Sequence, residues 1–334
     1  MAIQHPNDAF RFAASTRAFN NIPNNYGRIR QSTLFTPTPV NSNVVGVMEV
    51  NGVLNLLPAK QRGAEPTLNT KASRSMHYFE VPHYPLQDRI EAQSVQNTID
   101  WMTGESVDTM ADSIARAMNE HVTKHAITEE WLMTQALTGI IKNADASTIY
   151  NLFTKFSITK KTIDFPFSVA TTDVRGLVMD VLDHIETNLM GETMTGVEVM
   201  CSPEWFKAFV DHELVRPDFE RSSQQRVGDV RPGFEFAGVT FRPYLGQATD
   251  KDGTTRKFVA ADIAQAFPIG TQNTFEIYYA PPVLNGIAGA NSLGAPLYAM
   301  ETEDPKGRFV ELDTEMDALP ICKRPALLVE LTKS

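Results

Sequence analysis

The sequence predicts an α+β protein with an extended arm and a long hairpin reaching out from its body. Three observations carry that expectation: an unusually long stretch of helical apolar spacing, β-prone runs on either side of it, and a 43-residue start that follows no period. The 334 residues are 42% hydrophobic and 21% charged, which is ordinary globular usage, so a sizeable core is expected rather than disorder or a fibrous repeat.

Residues 2–43 are rich in Asn, Pro, Thr and Arg and read as an extended arm. Phe10, Phe12, Phe19, Tyr26 and Leu34 give it more apolar surface than a solvated tail tolerates, so it is expected to lie along another surface. Val44–Leu57 and Ser75–Val81 are both β-prone and predict a hairpin with a polar tip over Ala59–Arg74. That tip holds Lys60, Arg62, Lys71 and Arg74 against one acid, Glu65, and is locally basic in an acidic chain.

From Val107 to Ile141, the residues Met110, Ile114, Met118, Val122, Trp131, Met133, Leu137 and Ile140 recur mostly three or four apart. The spacing predicts one amphipathic helix, far longer than the usual ~11 or 12 residues, and so a strut. A second helix is predicted where Val174, Leu177, Val178, Val181, Leu182, Ile185 and Leu189 keep the same spacing, capped at Thr172 or Asp173 and stopped by Gly191. Val197–Cys201 reads as a buried strand, and Ser202, Pro203 and Glu204 then supply a cap, a first-turn proline and a first-turn acid. Short β-prone pieces separated by turns such as Asp252-Gly253 fill the chain to its end.

None of the constellations tested for chemistry holds together. His121, His125 and Glu129 lie four apart on one helix face, a spacing that suits a divalent metal, but no fourth ligand is near and Val122 stands where HExxH needs its base. In Gly286–Gly294 the glycines miss GxGxxG spacing, and Ser292 misses GxSxG. Asp250, Asp252 and Gly253 lack the remaining ligands of a calcium loop, and Lys160-Lys161 reads as a solvated pair. Cys201 and Cys322 are too few for a disulfide framework or a thiolate zinc site. No catalytic residue, metal ligand or cofactor is therefore expected.

Thirty Lys and Arg against forty Asp and Glu give a net charge of −10, which disfavours a broad grip on nucleic acid. The start of the chain lacks a basic-then-apolar signal pattern, and no apolar run approaches the ~20 residues that cross a bilayer, so a soluble protein made in a reducing cytosol is expected.

The C-terminal third carries a resemblance. Phe267-Pro268-x-Gly270, Ala280-Pro281, Gly294-x-Pro296-x-Tyr298-Ala299 and Leu319-Pro320-Ile321-Cys322-x-x-Pro325 occur in an order similar to that of the tailed-bacteriophage major capsid protein E family. Phe79-Glu80-Val81-Pro82 and Ser202-Pro203-Glu204-Trp205 also look like that family, and the likeness spans residues 44 to 331. It implies the HK97-like capsid fold, with an N-terminal arm (1–43), an extended loop (44–82), a peripheral domain (83–162) whose spine helix covers 107–141, an axial domain (163–271), and C-terminal strands (272–334) returning to the peripheral domain. It also implies a structural virion protein whose hexamers and pentamers form an icosahedral shell around packaged double-stranded DNA, without sequence-specific binding. Implied partners are other copies of the chain, a separate scaffolding protein, a portal and a decoration protein. Lys60, Arg62, Lys71 and Arg74 become the candidate inter-subunit contacts. An encapsulin-like compartment shell of the same fold is the alternative, and a two-domain soluble enzyme is the more distant rival.

Overall fold

The computed structural model describes residues 27–51, 73–96, 110–225, 233–250, 252–284 and 292–334. In chain order it begins with α1 (Arg28–Gln31), β1 (Thr36–Pro39), β2 (Val44–Asn51), β3 (Ser73–Glu80), β4 (His83–Glu91), α2 (Ala92–Gln96) and α3 (Met110–Thr138). There follow β5 (Ile140–Lys142), β6 (Thr148–Asn151), α4 (Leu152–Lys155), β7 (Lys161–Phe165), α5 (Val174–Asn188), β8 (Gly196–Cys201), α6 (Pro203–Asp211) and α7 (Arg216–Gln225). The rest is strand: β9 (Phe234–Phe236), β10 (Val239–Pro243), β11 (Gln247–Thr249), β12 (Thr255–Lys257), β13 (Ile263–Ile269), β14 (Phe275–Tyr279), β15 (Tyr298–Glu303), β16 (Phe309–Cys322) and β17 (Val329–Lys333).

The chain forms two compact units. The first takes residues up to Val45, Glu80–Thr134 and Glu276–Ile321. Its sheet is organised by β16, fourteen residues long. Along its first part β16 pairs antiparallel with β15 on one edge and β4 on the other, with His83 opposite Asp317 and Tyr298 opposite Glu315. β14 also joins β16, and β1 runs parallel to β14 in the register Thr36 to Glu276 through Pro39 to Tyr279.

The second unit takes Gly46–Phe79, Gln135–Phe275 and Cys322–Ser334. Its six-stranded sheet has the order β7-β17-β13-β8-β10-β9. Helix α5 buries Val174, Val178, Val181 and Ile185, one stripe of the 3.6-residue period. Asp173 caps it, accepting a 2.9 Å hydrogen bond from the Gly176 amide. Ser202 caps α6 through the Trp205 amide, with Pro203 in the first turn. Trp205 then stacks on Phe209 and Phe241 and meets Phe165 edge-on, at centroid separations of 5.3 to 5.9 Å.

One difference from the sequence expectation has a clear physical cause. The long helix stops at Thr138, short of Ile141, because Gly139 takes φ +75° and a Cβ there would lie 2.4 Å from the Phe153 ring. Ile140 and Ile141 instead enter β5, which pairs with β6. The strands of the last third divide between the two units. Residues 276–321 cluster with the first unit, whereas β17 lies between β7 and β13 in the second unit's sheet, where Val329 and Leu331 are fully buried.

Candidate assembly interface

Two segments present the features from which an interface is built, and they do so in opposite ways. The arm root is held by buried charge. Helix α1 is one turn long and has no side-chain cap of its own, so its first amides need acceptors from elsewhere. Glu130 of α3 supplies them: Oε1 accepts from the amides of Arg28 and Ile29 at 2.8 Å each, and Oε2 from that of Arg30 at 2.9 Å. Gly27 makes this approach possible, with φ +93° and space for a Cβ only 2.5 Å from Glu130 Oε2.

The neighbouring Glu129 pairs with the Arg30 guanidinium and accepts a hydrogen bond from the Tyr279 hydroxyl. Burial holds the Glu129 carboxyl above the usual carboxylate range, with Arg30 pulling the other way. Beyond α1, strand β1 continues the attachment, the Val40 amide donates to the Tyr279 carbonyl, and the Gly294 amide donates to the Val40 carbonyl. The arm root thus ends its polar requirements on its own chain.

The hairpin of β2 and β3 does the reverse. Strand alternation gives it an inner face, where Val47 and Phe79 are buried, Phe79 meets Phe156 and Tyr150, and His77 lies 4.6 Å from the Phe156 ring. On the outer face Met48, Met76 and Tyr78 are exposed, Met76 at 49% and Tyr78 at 65%. Such a contiguous apolar stripe on an exposed ribbon marks a contact surface. Of the predicted contact cations, Arg74 is exposed and shares that outer face by the two-residue period. Lys60, Arg62 and Lys71 lie outside the described residues.

The helical metal candidate comes apart into separate contacts. His121 Nδ1 and His125 Nε2 both meet the Thr314 hydroxyl, at 2.9 and 3.0 Å, while Glu129 belongs to the Arg30–Tyr279 group. These side chains are buried, not solvated as polar helix faces usually are. His121 Nε2 also lies 3.1 Å from an Asp88 carboxylate oxygen, out of line for a hydrogen bond. Burial, with His121 and Lys124 nearby, lowers the His125 pKa to about 4.

Elsewhere, Lys160 is paired with Glu330, and Asp250 accepts the amides of Asp252 and Thr254 in the β11–β12 turn. Both cysteines are buried, which pushes the Cys201 thiol far up and the Cys322 thiol to about 12, so neither is poised as a thiolate. Residues 285–291 of the glycine-rich segment lie outside the described residues.

One cluster had no sequence signal. On the face of β16 opposite Thr314, the buried Glu315 and Asp317 project together, and the β4 register sets His83 beside them. His83 Nδ1 is 2.7 Å from Asp317 Oδ1, and its Nε2 is 3.9 Å from Glu315 Oε2. Desolvation raises both carboxyls above their ordinary range, against the pull of His83.

The family model described as phage major capsid protein E matches residues 12–333. The chain is 27% identical to the major capsid protein of Salmonella phage Felix O1 over 359 aligned positions, 96% of each chain. It is 25% identical over 344 positions to the major capsid protein of Pseudomonas phage KPP10, again 96% of each. Among solved structures, the mature capsid of bacteriophage PhiM1 superposes with a TM-score of 0.53 at 14% identity, covering 94% of this chain and 90% of that one. At that identity the likeness is one of fold, the HK97-like α+β capsid fold.

Proposed function

This chain belongs to the phage major capsid protein E family, and from that premise we propose that its copies, grouped as hexamers and pentamers, tile an icosahedral shell around double-stranded DNA. It is a phage major capsid protein, a structural component of the virion built from many copies of itself. Of the two shell readings, the phage head is the one the family match supports over an encapsulin-like compartment.

The observation that carries the assembly mechanism is the exposed Met48, Met76 and Tyr78 stripe on the β2–β3 hairpin. An exposed apolar ribbon is a liability in a monomer and an asset when laid on a neighbour. Many modest contacts of this kind, repeated around a closed shell, sum to high stability. The basic tip, with Lys60, Arg62, Lys71 and Arg74, orients that contact against an acidic neighbour more than it adds affinity. In family terms residues 1–43 are the arm, 44–82 the extended loop, 83–162 the peripheral domain and 163–271 the axial domain.

The net charge of −10 suits a container that encloses DNA without adhering to it, since a strongly basic lining would hold phosphates. A separate scaffolding protein, a portal and a decoration protein complete the proposed head, which assembles in the host cytoplasm. The role assigned to the chain is structural, with no catalytic step.

The test is expression of the chain with and without its neighbouring reading frames, followed by electron microscopy. Closed shells of uniform size are the expected product, and a compact monomer that never assembles contradicts the proposal.

A further inference from the structure

Strand β16 sends alternate side chains to its two faces, and one of them carries Glu311, Asp313, Glu315 and Asp317, of which the last two are buried. Glu315 and Asp317 are only 2% and 4% exposed, so two carboxylates are withdrawn from water side by side. Each needs compensation, since an uncompensated buried charge is costly. Glu315 Oε1 receives the Leu284 amide at 2.9 Å, and Asp317 Oδ1 meets His83. The other oxygen of the Asp317 carboxylate is buried and has no hydrogen-bond partner among the described residues. His83 covers the cluster from β4 and keeps 37% of its side chain exposed, which leaves a route in from solvent.

One ligand atom from each of His83, Glu315 and Asp317 can be chosen so that all lie within 4.8 Å of one another. A tetrahedral ion with bonds of about 2.0–2.2 Å holds its ligands roughly 3.4 Å apart, so a small rotation of the exposed His83 closes the difference. We propose that His83, Glu315 and Asp317 form a binding site for one divalent transition-metal cation, with Zn²⁺ the fitting probe, that staples β4 to β16. The donor set selects the ion class. One imidazole with two carboxylates suits zinc or manganese, whereas calcium takes an all-oxygen shell. The cation supplies the positive charge that two buried acids lack and gives the orphaned Asp317 oxygen a partner. The staple joins residues 234 positions apart in the chain. It does not depend on the assembly reading, because every ligand comes from one subunit.

The test is calorimetric titration of ZnCl₂ into the purified, tag-free full chain after chelator treatment and dialysis, with native mass spectrometry to count bound ions. One Zn²⁺ per chain at micromolar affinity or tighter is expected, weakened at least ten-fold in H83A and in D317N. H77A, which removes the Glu49–His77 pair on the hairpin, is expected to bind like wild type. H83A changes a partly exposed side chain and so reads out even if D317N fails to fold. No binding by wild type, or wild-type affinity in H83A, overturns the proposal.

Discussion

The arm root and the β2–β3 hairpin differ in one respect: one is finished within the subunit and the other is not. At the arm root, three backbone amides, a guanidinium and a tyrosine hydroxyl converge on Glu129 and Glu130, both buried. On the hairpin, the inner face is buried while Met48, Met76 and Tyr78 remain in water. The two segments obtain their stability from different sources. Buried charge requires partners before the fold is viable, so the arm root must close on its own chain. Apolar exposure is tolerated in a folded subunit and is relieved by association.

The sharpest way to break this contrast is to remove the cap. E130A leaves three amides without their acceptor and is expected to destabilise the subunit by about 3–5 kcal/mol in urea unfolding. E130Q keeps one carbonyl acceptor and should fall between E130A and wild type. An E130A midpoint equal to wild type would show that the arm root is not closed in this way.

The next effect is a pH dependence. His125 has its pKa lowered from 6.5 to about 4, so its contribution to stability is whole above pH 6.5 and is lost as pH falls toward 4. The loss amounts to about 3 kcal/mol at the low end. His121 and Lys124 act on it from its own helix, Thr314 of β16 meets its Nε2, and Asp88 lies beside His121. Glu129, held above its ordinary range by burial, works in the opposite direction, gaining stability as pH falls. The difference between wild type and H125Q therefore isolates the histidine: H125Q should lose its deficit at pH 7 progressively between pH 6.5 and 4. Parallel pH profiles would refute it.

How much of this was legible in the sequence depends on the range of the signal. The α5 helix and the Ser202-Pro203-Glu204 turn are written in local spacing and caps, and both are found as read. The hairpin's outer stripe is not readable that way. In Ser75–Val81 apolar residues fall on both strand faces, with Met76 and Tyr78 on one and Phe79 on the other, so periodicity alone does not say which face is covered. The roles of Glu129 and Glu130 are hidden for a related reason: acids on a helix are normally solvated, but the last turns of α3 are buried on every side. The His83, Glu315 and Asp317 cluster depends on strand register between distant segments, which composition and spacing do not encode.

A smaller effect on the subunit is expected at the tip. Reversing Arg62 and Arg74 together, R62E/R74E, should leave urea stability within about 0.5 kcal/mol of wild type and reduce shell yield, in a salt-dependent manner. Wild-type yields at low salt would remove the tip from the interface.

The most direct test of the central claim is paired measurement on M76S/Y78S: subunit stability by urea unfolding and shell yield by sedimentation velocity. The expected result is a folding midpoint unchanged to within about 0.5 kcal/mol, because both side chains are exposed, together with loss of closed shells. Shells formed at wild-type yield, or a subunit that unfolds as readily as E130A, would contradict it.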